Sequence, residues 1–206
     1  GNKFLSLSRE ANGIVQVVRA FTDSTVMHVD ETTDPKRDIE TINTELILAD
    51  LATVDARLRR LEGDAKRDPK GLGPTLEATQ AARQILDSGR ILFGSDVALE
   101  LLQDLQLLSA KPFIFVFNLD EADLSNKTAQ AQLASLVAPA RAIFLCAQIE
   151  SELMDLPESE AAELLRDLGS EQSGLDQLAS AGFDTLGLQT YLTAGPKEVR
   201  AWTIPQ

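Results

Sequence analysis

Residues 111–121 read KPFIFVFNLDE, and this stretch decides the fold. Its apolar run, Phe113–Phe117, consists of aromatic and β-branched side chains. Continuous apolarity is typical of a strand that is covered on both faces in a parallel sheet. Two other runs, Ile14–Val18 and Ala142–Leu145, have the same character apart from Gln16. Helical patterns separate or follow these strands, over 130–137, 158–168 and 174–183. The order of elements predicts an α/β protein with a mostly parallel sheet.

The region between the first two predicted strands has a helical pattern of its own. Apolar residues recur at steps of four and three, and they are Ile47, Leu51, Val54, Leu58 and Leu61. This spacing predicts an apolar seam on one helical face, with Asp50 off the seam. Residues 68–74, DPKGLGP, have the composition of a loop. Two further helices are predicted, Leu76–Asp87 and Ser95–Leu108. Residues 38–108 therefore predict an inserted antiparallel helical hairpin, a coiled-coil arm.

The composition of the chain limits the classes of function that it can have. The 206 residues carry 19 Lys and Arg against 32 Asp and Glu, a net charge of −13, which argues against a sequence-specific DNA-binding surface. No apolar run approaches the roughly 18 residues of a membrane span, so no membrane association is expected. The single Cys favours a reducing cytoplasm. We find no zinc-type cluster and no Gly-x-x-x-x-Gly-Lys-Ser/Thr phosphate loop, and we predict no metal site in this chain.

The polar segment 118–121, NLDE, directly follows the second predicted strand. Ligands of open α/β sheets bind beyond the carboxyl ends of the strands. The amide of Asn118 both donates and accepts hydrogen bonds, so it suits N7 and the exocyclic group of a purine. A nearby carboxylate only accepts, so it suits the N–H groups of guanine. The alternative is an Asx turn followed by an acidic surface loop.

Two other positions are candidates for the same site. Residues 146–148, CAQ, follow the third predicted strand, and their backbone N–H groups could face the ligand. The alternative there is a buried Cys at a strand end. His28, the only His, lies in a polar loop after the first strand. It is either a surface residue or a residue that orients water or phosphate.

Several segments, in chain order, resemble the YchF family of Obg-like P-loop ATPases. They are GNKFL, VVRAF, HVD, DPKRDIETINTELILADL, KPFIFVFNLDEADL, CAQIESEL and SGLDQLASAGFDTLGLQTYLTAGPKEVRAWTI. The runs INTELILADL and TAGPKEVRAWT are the most specific of these, and the match is weakest between Gly63 and Gly94.

The resemblance implies a partial Ras-like P-loop NTPase domain with the coiled-coil arm inserted into it. It assigns residues 1–37 and 109–189 to the NTPase domain, residues 38–108 to the arm and residues 190–206 to the start of a TGS domain. It further implies that the chain begins after the switch II segment and lacks the phosphate-binding loop. The residues that hold Mg²⁺ are then expected outside this chain.

The resemblance also implies a function. Members of the family hydrolyse ATP, bind Mg²⁺ and associate with the ribosome in the cytoplasm, in translation and stress responses. We therefore expect an ATPase as the intact protein, using GTP less well, with this chain alone inactive. A helical docking module without catalysis and an Obg-like GTPase are the alternatives.

The resemblance places Asn118, Leu119 and Glu121 in the base-recognition motif, where GTPases of the wider class have Asn-Lys-x-Asp. Glu121 in place of that Asp shifts the carboxylate that pairs with guanine, and Leu119 removes the Lys stem that packs under the base, which fits the use of ATP. Cys146 and Ala147 fall in the second base-side loop, where backbone contacts are expected. His28 matches a His proposed to help hydrolysis in the family.

Overall fold

The computed structural model describes residues 2–21, 33–195 and 198–205. The chain divides into two compact units. The helical unit comprises Gly1–Ile14 and Lys36–Pro112, and the α/β unit comprises Val15–Pro35 and Phe113–Gln206. No helix within the described ranges is long and apolar enough to cross a membrane.

Helices separate the first three strands along the chain, and three successive helices precede the last two strands. The α-helices are α1 Asn2–Glu10, α2 Pro35–Asp64, α3 Pro69–Asp87, α4 Lys127–Ser135, α5 Ala147–Asp155, α6 Glu158–Asp167 and α7 Gly174–Thr185. The strands are β1 Ile14–Ala20, β2 Phe113–Leu119, β3 Arg141–Leu145, β4 Leu188–Ala194 and β5 Val199–Pro205. The three predicted strands and the predicted helices in the second half of the chain are confirmed, with their ends moved by up to three residues.

The sheet of the α/β unit has the order β1–β2–β3, with β2 and β3 parallel and Phe115 opposite Ala142. Its central strand β2 is buried along almost its whole length. Alternate residues of β2 face opposite sides. Ile114 and Val116 pack with Ile143 and with Ala181 of α7 on one side. The aromatic residues lie on the other side, where the Phe117 and Phe144 rings stack at 5.5 Å. The continuous apolar run thus reflects burial on both faces.

Strand β1 departs from this expectation. Val15 and Val17 are 49% and 68% exposed, while Gln16 and Val18 are buried. Because successive side chains of a strand point to opposite faces, one face of β1 is covered and the other is open within the described residues. The prediction that all three strands are covered on both faces is therefore wrong for β1.

The helical unit is built on α2 and α3. The two helices run antiparallel because only residues 65–68 connect them. The core contains the predicted seam residues Ile47, Val54 and Leu58, and α3 contributes Ala78, Ala82 and Leu86. At the edge of this core Arg83 Nε donates to Asp55 Oδ1 at 2.8 Å, and this hydrogen bond raises the pKa of Arg83.

The predicted loop 68–74 is instead the first part of α3. Asp68 is the N-cap, and its Oδ1 accepts the Gly71 N–H at 2.9 Å. Pro69 occupies the first helical turn, where its missing N–H costs no hydrogen bond. Loops and capped helix starts contain the same residue types, and in this chain the segment forms a capped helix start.

The predicted helix Ser95–Leu108 is also wrong. The segment forms two 3₁₀ turns, Leu99–Leu105 and Leu108–Ala110, separated by Gln106 with φ of 47°. A 3₁₀ helix repeats every three residues, and leucines at 99, 102, 105 and 108 follow that spacing. Leu102 is buried, and Leu99 and Leu105 pack against the same core, so the first turn packs its leucine row inward.

Asp50 corrects a third expectation, because it is fully buried. It lies three residues after Ile47 and four before Val54, so the helical spacing places it on the seam. Its carboxylate accepts the Leu108 N–H at 2.9 Å, and it accepts the Ser109 N–H and hydroxyl at 2.7 Å each.

Two cations from outside α2 complete the surroundings of Asp50. Arg9 of α1, a helix that the sequence analysis does not predict, lies 3.5 Å from the carboxylate. The ammonium of Lys111 donates to the carbonyls of Arg9 and Ala11. Burial lowers the pKa of Lys111, and the charge of Asp50 opposes that shift. The Asp50 network therefore joins three segments of the helical unit.

Candidate functional site

The candidate site lies where β2 and β3 end. The two strands are parallel neighbours, and Asn118 pairs in register with Leu145. The segments that follow them, 118–121 and 146–148, therefore emerge side by side at the carboxyl edge of the sheet. This is the place at which open α/β sheets bind ligands, and the structure brings the two predicted base-side segments together there.

The side chain of Asn118 joins the two segments. Its Oδ1 accepts the backbone N–H of Ala147 at 2.9 Å. The Nδ2 group makes no hydrogen bond among the described residues, so it can donate to a ligand. An amide oxygen has two lone pairs, and only one is used by Ala147. Asn118 thus has the donor and the acceptor that the edge of a purine requires.

The remaining residues of the 118–121 segment differ in accessibility. Leu119 is the last residue of β2 and its side chain is buried, so it supports the loop from within the protein. Asp120 precedes a 3₁₀ turn that begins at Glu121. The side chain of Glu121 is exposed. Of these three residues, Glu121 has the carboxylate that is most open to a ligand.

The second segment presents backbone rather than side chains. Cys146 is buried and precedes α5, and Ala147 is the first residue of that helix. Ala147 and Gln148 are exposed. The side chain of Gln148 donates to Glu152 at 3.2 Å and so stays on its own helix. The Ala147 N–H is already donated to Asn118, so the expected backbone contact from this segment rests on other N–H groups near the start of α5.

Glu150 stabilises this segment, and the sequence alone did not predict its structural role. It is buried, and its carboxylate accepts the N–H groups of Gly174 at 2.6 Å and Leu175 at 3.1 Å. The carboxylate therefore caps the first turn of α7 from α5. The contact spans 24 residues of sequence, and no local pattern marks it.

A cavity of about 150 Å³ lies beside this cap, lined in part by Lys127, Gln130 and Gln177. The polar groups that face it are already used within the protein. Gln130 donates to the Leu124 carbonyl at 2.7 Å and accepts from Lys127 at 3.3 Å. The cavity thus belongs to the packing of the helices around β3.

His28 lies outside the described residues, and its predicted role stays a prediction. Within residues 2–21, 33–195 and 198–205 no group of three or more His, Cys, Asp or Glu could hold a metal ion.

Comparison with known proteins gives consistent relatives over the whole chain, although no family model matches it. The chain is 40% identical over 211 residues to the ribosome-binding ATPase YchF of Bacillus subtilis, covering 98% of this chain and 58% of that protein. It is 36% identical over 210 residues to the ribosome-binding ATPase YchF of Escherichia coli O157:H7, covering 100% of this chain and 58% of that protein.

A solved structure agrees with these sequences. The Schizosaccharomyces pombe YchF GTPase superposes with a TM-score of 0.84 at 30% identity, covering 100% of this chain and 58% of the other. The predicted α/β class is confirmed. The chain spans less than two thirds of the length of the proteins that it matches.

Proposed function

The resemblance to the YchF family is confirmed along the whole chain, and from it we propose that the chain is part of a protein that binds and hydrolyses ATP and associates with the ribosome. The names of the relatives support both parts of this proposal. Because the chain spans 58% of those relatives, the activity belongs to a protein that supplies the other functional parts. A ribosome-associated protein of this kind works in the cytoplasm.

The observation that carries the proposal is the hydrogen bond between Asn118 and Ala147. It holds the two segments at the ends of β2 and β3 in one arrangement and leaves the Asn118 amide nitrogen available. Against adenine, that nitrogen donates to N7, and the second lone pair of Oδ1 accepts from the exocyclic amine. The chain's contribution to nucleotide binding is therefore recognition of the base.

Glu121 and Leu119 account for the choice of base. Guanine presents N–H groups that a carboxylate accepts, whereas adenine presents an acceptor at N1. The carboxylate of Glu121 stands one methylene further from the backbone than an Asp would, which displaces it from the position that reads guanine. The buried Leu119 leaves no ammonium at the base. The preference for adenine over guanine thus comes mainly from the loss of contacts that favour guanine.

The phosphates and Mg²⁺ are held elsewhere. Phosphate contacts supply most of the affinity in P-loop proteins, and the chain contains no phosphate-loop motif. The described residues likewise provide no cluster of metal ligands. Base contacts alone are feeble, so we expect weak nucleotide binding and no hydrolysis from this chain by itself. Mg²⁺ would neutralise charge on the phosphates in the intact protein.

The test is steady-state hydrolysis of ATP and GTP by the natural protein that contains this chain, with Mg²⁺. We expect a higher kcat/KM for ATP than for GTP. GTP is the second candidate substrate, because the matching Schizosaccharomyces pombe structure is that of a GTPase. A clear preference for GTP would favour the Obg-like alternative, and hydrolysis of neither nucleotide would favour a docking module.

A further inference from the structure

Positive charge is concentrated at one place in this acidic chain. The net charge is −13, yet residues 59–70, RRLEGDAKRDPK, contain five Lys and Arg against three Asp and Glu. These residues form the end of α2, the connecting turn and the start of α3. We call this segment the hairpin tip. Its cations are Arg59, Arg60, Lys66, Arg67 and Lys70, and all five side chains are exposed.

The tip cations have no partner, unlike most of the other described cations. Elsewhere Arg57 pairs with Asp104, Arg141 with Asp184, and Arg200 with Glu198. Among the Lys and Arg whose side chains the structure describes, those without a hydrogen bond, ion pair or ring contact are Arg59, Arg60, Lys66, Arg67, Lys70 and Arg166. All of these except Arg166 belong to the tip. The hairpin tip is thus where the helical unit leaves positive charge unneutralised.

The turn that carries these cations is ordered by its own contacts. Leu61 and Ala65 are buried and anchor both sides of it. The Arg67 N–H donates to the Asp64 carbonyl at 2.9 Å, and the Asp68 N–H donates to the same carbonyl at 3.1 Å. The carboxylate of Asp68 caps α3 by accepting the Gly71 N–H. Because the backbone is fixed, the cations lose little backbone freedom on meeting a polyanion, which favours binding.

We propose that the hairpin tip binds the phosphate backbone of structured RNA in the ribosome. This inference rests on the proposed association with the ribosome and assigns the contact to particular residues. The tip contains no aromatic side chain, so bases cannot stack on aromatic rings there, and its cations favour contact with phosphates. Exposed Lys and Arg bind RNA phosphates by releasing counterions, without reading sequence. The acidic remainder of the chain repels RNA and so directs the contact to the tip.

The test uses the 206-residue chain and the variant Lys66→Gln/Arg67→Gln/Lys70→Gln. Binding to a fluorescently labelled RNA hairpin is measured by anisotropy at several salt concentrations, and binding to purified ribosomes by co-sedimentation. We expect the variant to lose at least about tenfold in affinity for both. Each phosphate contact contributes about 0.7 to 0.9 to the slope of log K against log salt, so the slope should fall by about 2 to 3.

The matched control is Arg141→Gln/Arg166→Gln/Arg200→Gln, which removes the same charge from exposed positions of the α/β unit. It should keep affinity within about twofold. A second variant, Arg59→Gln/Arg60→Gln, removes the two cations on α2 and should weaken binding as well. Far-UV circular dichroism of each variant verifies that the helices are retained.

Three outcomes would overturn the inference. If the tip variant binds ribosomes as well as the unaltered chain does, the ribosome contact lies elsewhere, although association itself stands. If ribosome binding falls but binding to the RNA hairpin does not, the tip contacts an acidic protein surface. If the unaltered chain binds neither, the tip has no such partner, and the proposed ATPase activity is judged separately by hydrolysis.

Discussion

Asp50 shows how a single carboxylate organises the helical unit. It accepts two backbone N–H groups and one hydroxyl from residues 108–109 and lies near the Arg9 guanidinium. A buried charge is tolerated only when it is paired and hydrogen-bonded, and both conditions hold here. The helical spacing of α2 could have predicted its burial. Its hydrogen-bond donors could not be predicted, because they lie 58 and 59 residues further along the chain.

Replacing Asp50 by Asn should destabilise the helical unit by about 2 to 4 kcal/mol. The amide has one acceptor oxygen, and its NH₂ group would face backbone N–H groups that need an acceptor. Urea unfolding followed by far-UV circular dichroism measures the change. Asp55→Asn is the control on the same helix. Asp55 is partly exposed in its pair with Arg83, so its loss should move the midpoint little. Equal effects of the two variants would contradict the assigned role of Asp50.

Glu121→Asp tests how the base is read. The shorter side chain returns the carboxylate to the position at which it pairs with guanine, so the ratio of kcat/KM for GTP to that for ATP should rise about tenfold. The side chain is exposed, so the fold should tolerate the change. Hydrolysis kinetics of the natural protein with both nucleotides provide the measurement. An unchanged ratio would show that residue 121 does not face the base.

At the level of helices and strands, sequence periodicity predicted the elements that depend on local patterns. The strands β2 and β3 were predicted from continuous apolarity, and the segment after β2 was singled out because ligands bind at strand ends. The leucines of 99–108 contain a spacing of three that indicates 3₁₀ turns, but they also fit a helix. The start of α3 depends on the cap at Asp68, which composition alone assigns to a loop. The Glu150 cap of α7 depends on tertiary contact and has no local signal.

The junction between α5 and α7 leads to a prediction about two glycines of α7. A Cβ at Gly174 would lie 2.5 Å from Leu145 Cβ and 2.9 Å from Glu150 Oε1, so Gly174→Ala must displace the strand end or the cap. At Gly182 nothing lies within 4 Å. Gly182→Ala should therefore stabilise the unit by up to about 1 kcal/mol through helix propensity.

Gly174→Ala, by contrast, should lower stability by about 1 to 3 kcal/mol, as overpacking does. Thermal unfolding of both variants gives the comparison. If Gly174→Ala were as stable as the unaltered chain, the close contact between α7 and β3 would not be required for folding.

At the scale of the whole molecule, we propose that this chain supplies base recognition and that phosphate binding depends on other residues of the intact protein. The α/β unit has two tied segments suited to a purine base, whereas the sequence contains no phosphate-loop motif. The helical unit carries the exposed cations of the hairpin tip. Sequence resemblance predicted the family and the α/β class. It could not predict which cations remain unpaired, because that depends on every surface contact in the folded chain.

Calorimetric titration of ATP and GTP, with Mg²⁺, identifies the source of nucleotide affinity. Two proteins are compared, this 206-residue chain and the natural gene product with any residues that precede Gly1. The account predicts negligible binding to the short chain, and binding to the longer protein with a preference for ATP, because phosphate contacts supply most of the affinity. Tight binding of ATP to the 206-residue chain alone would contradict it, since the affinity would then come from a site other than the base-reading segments.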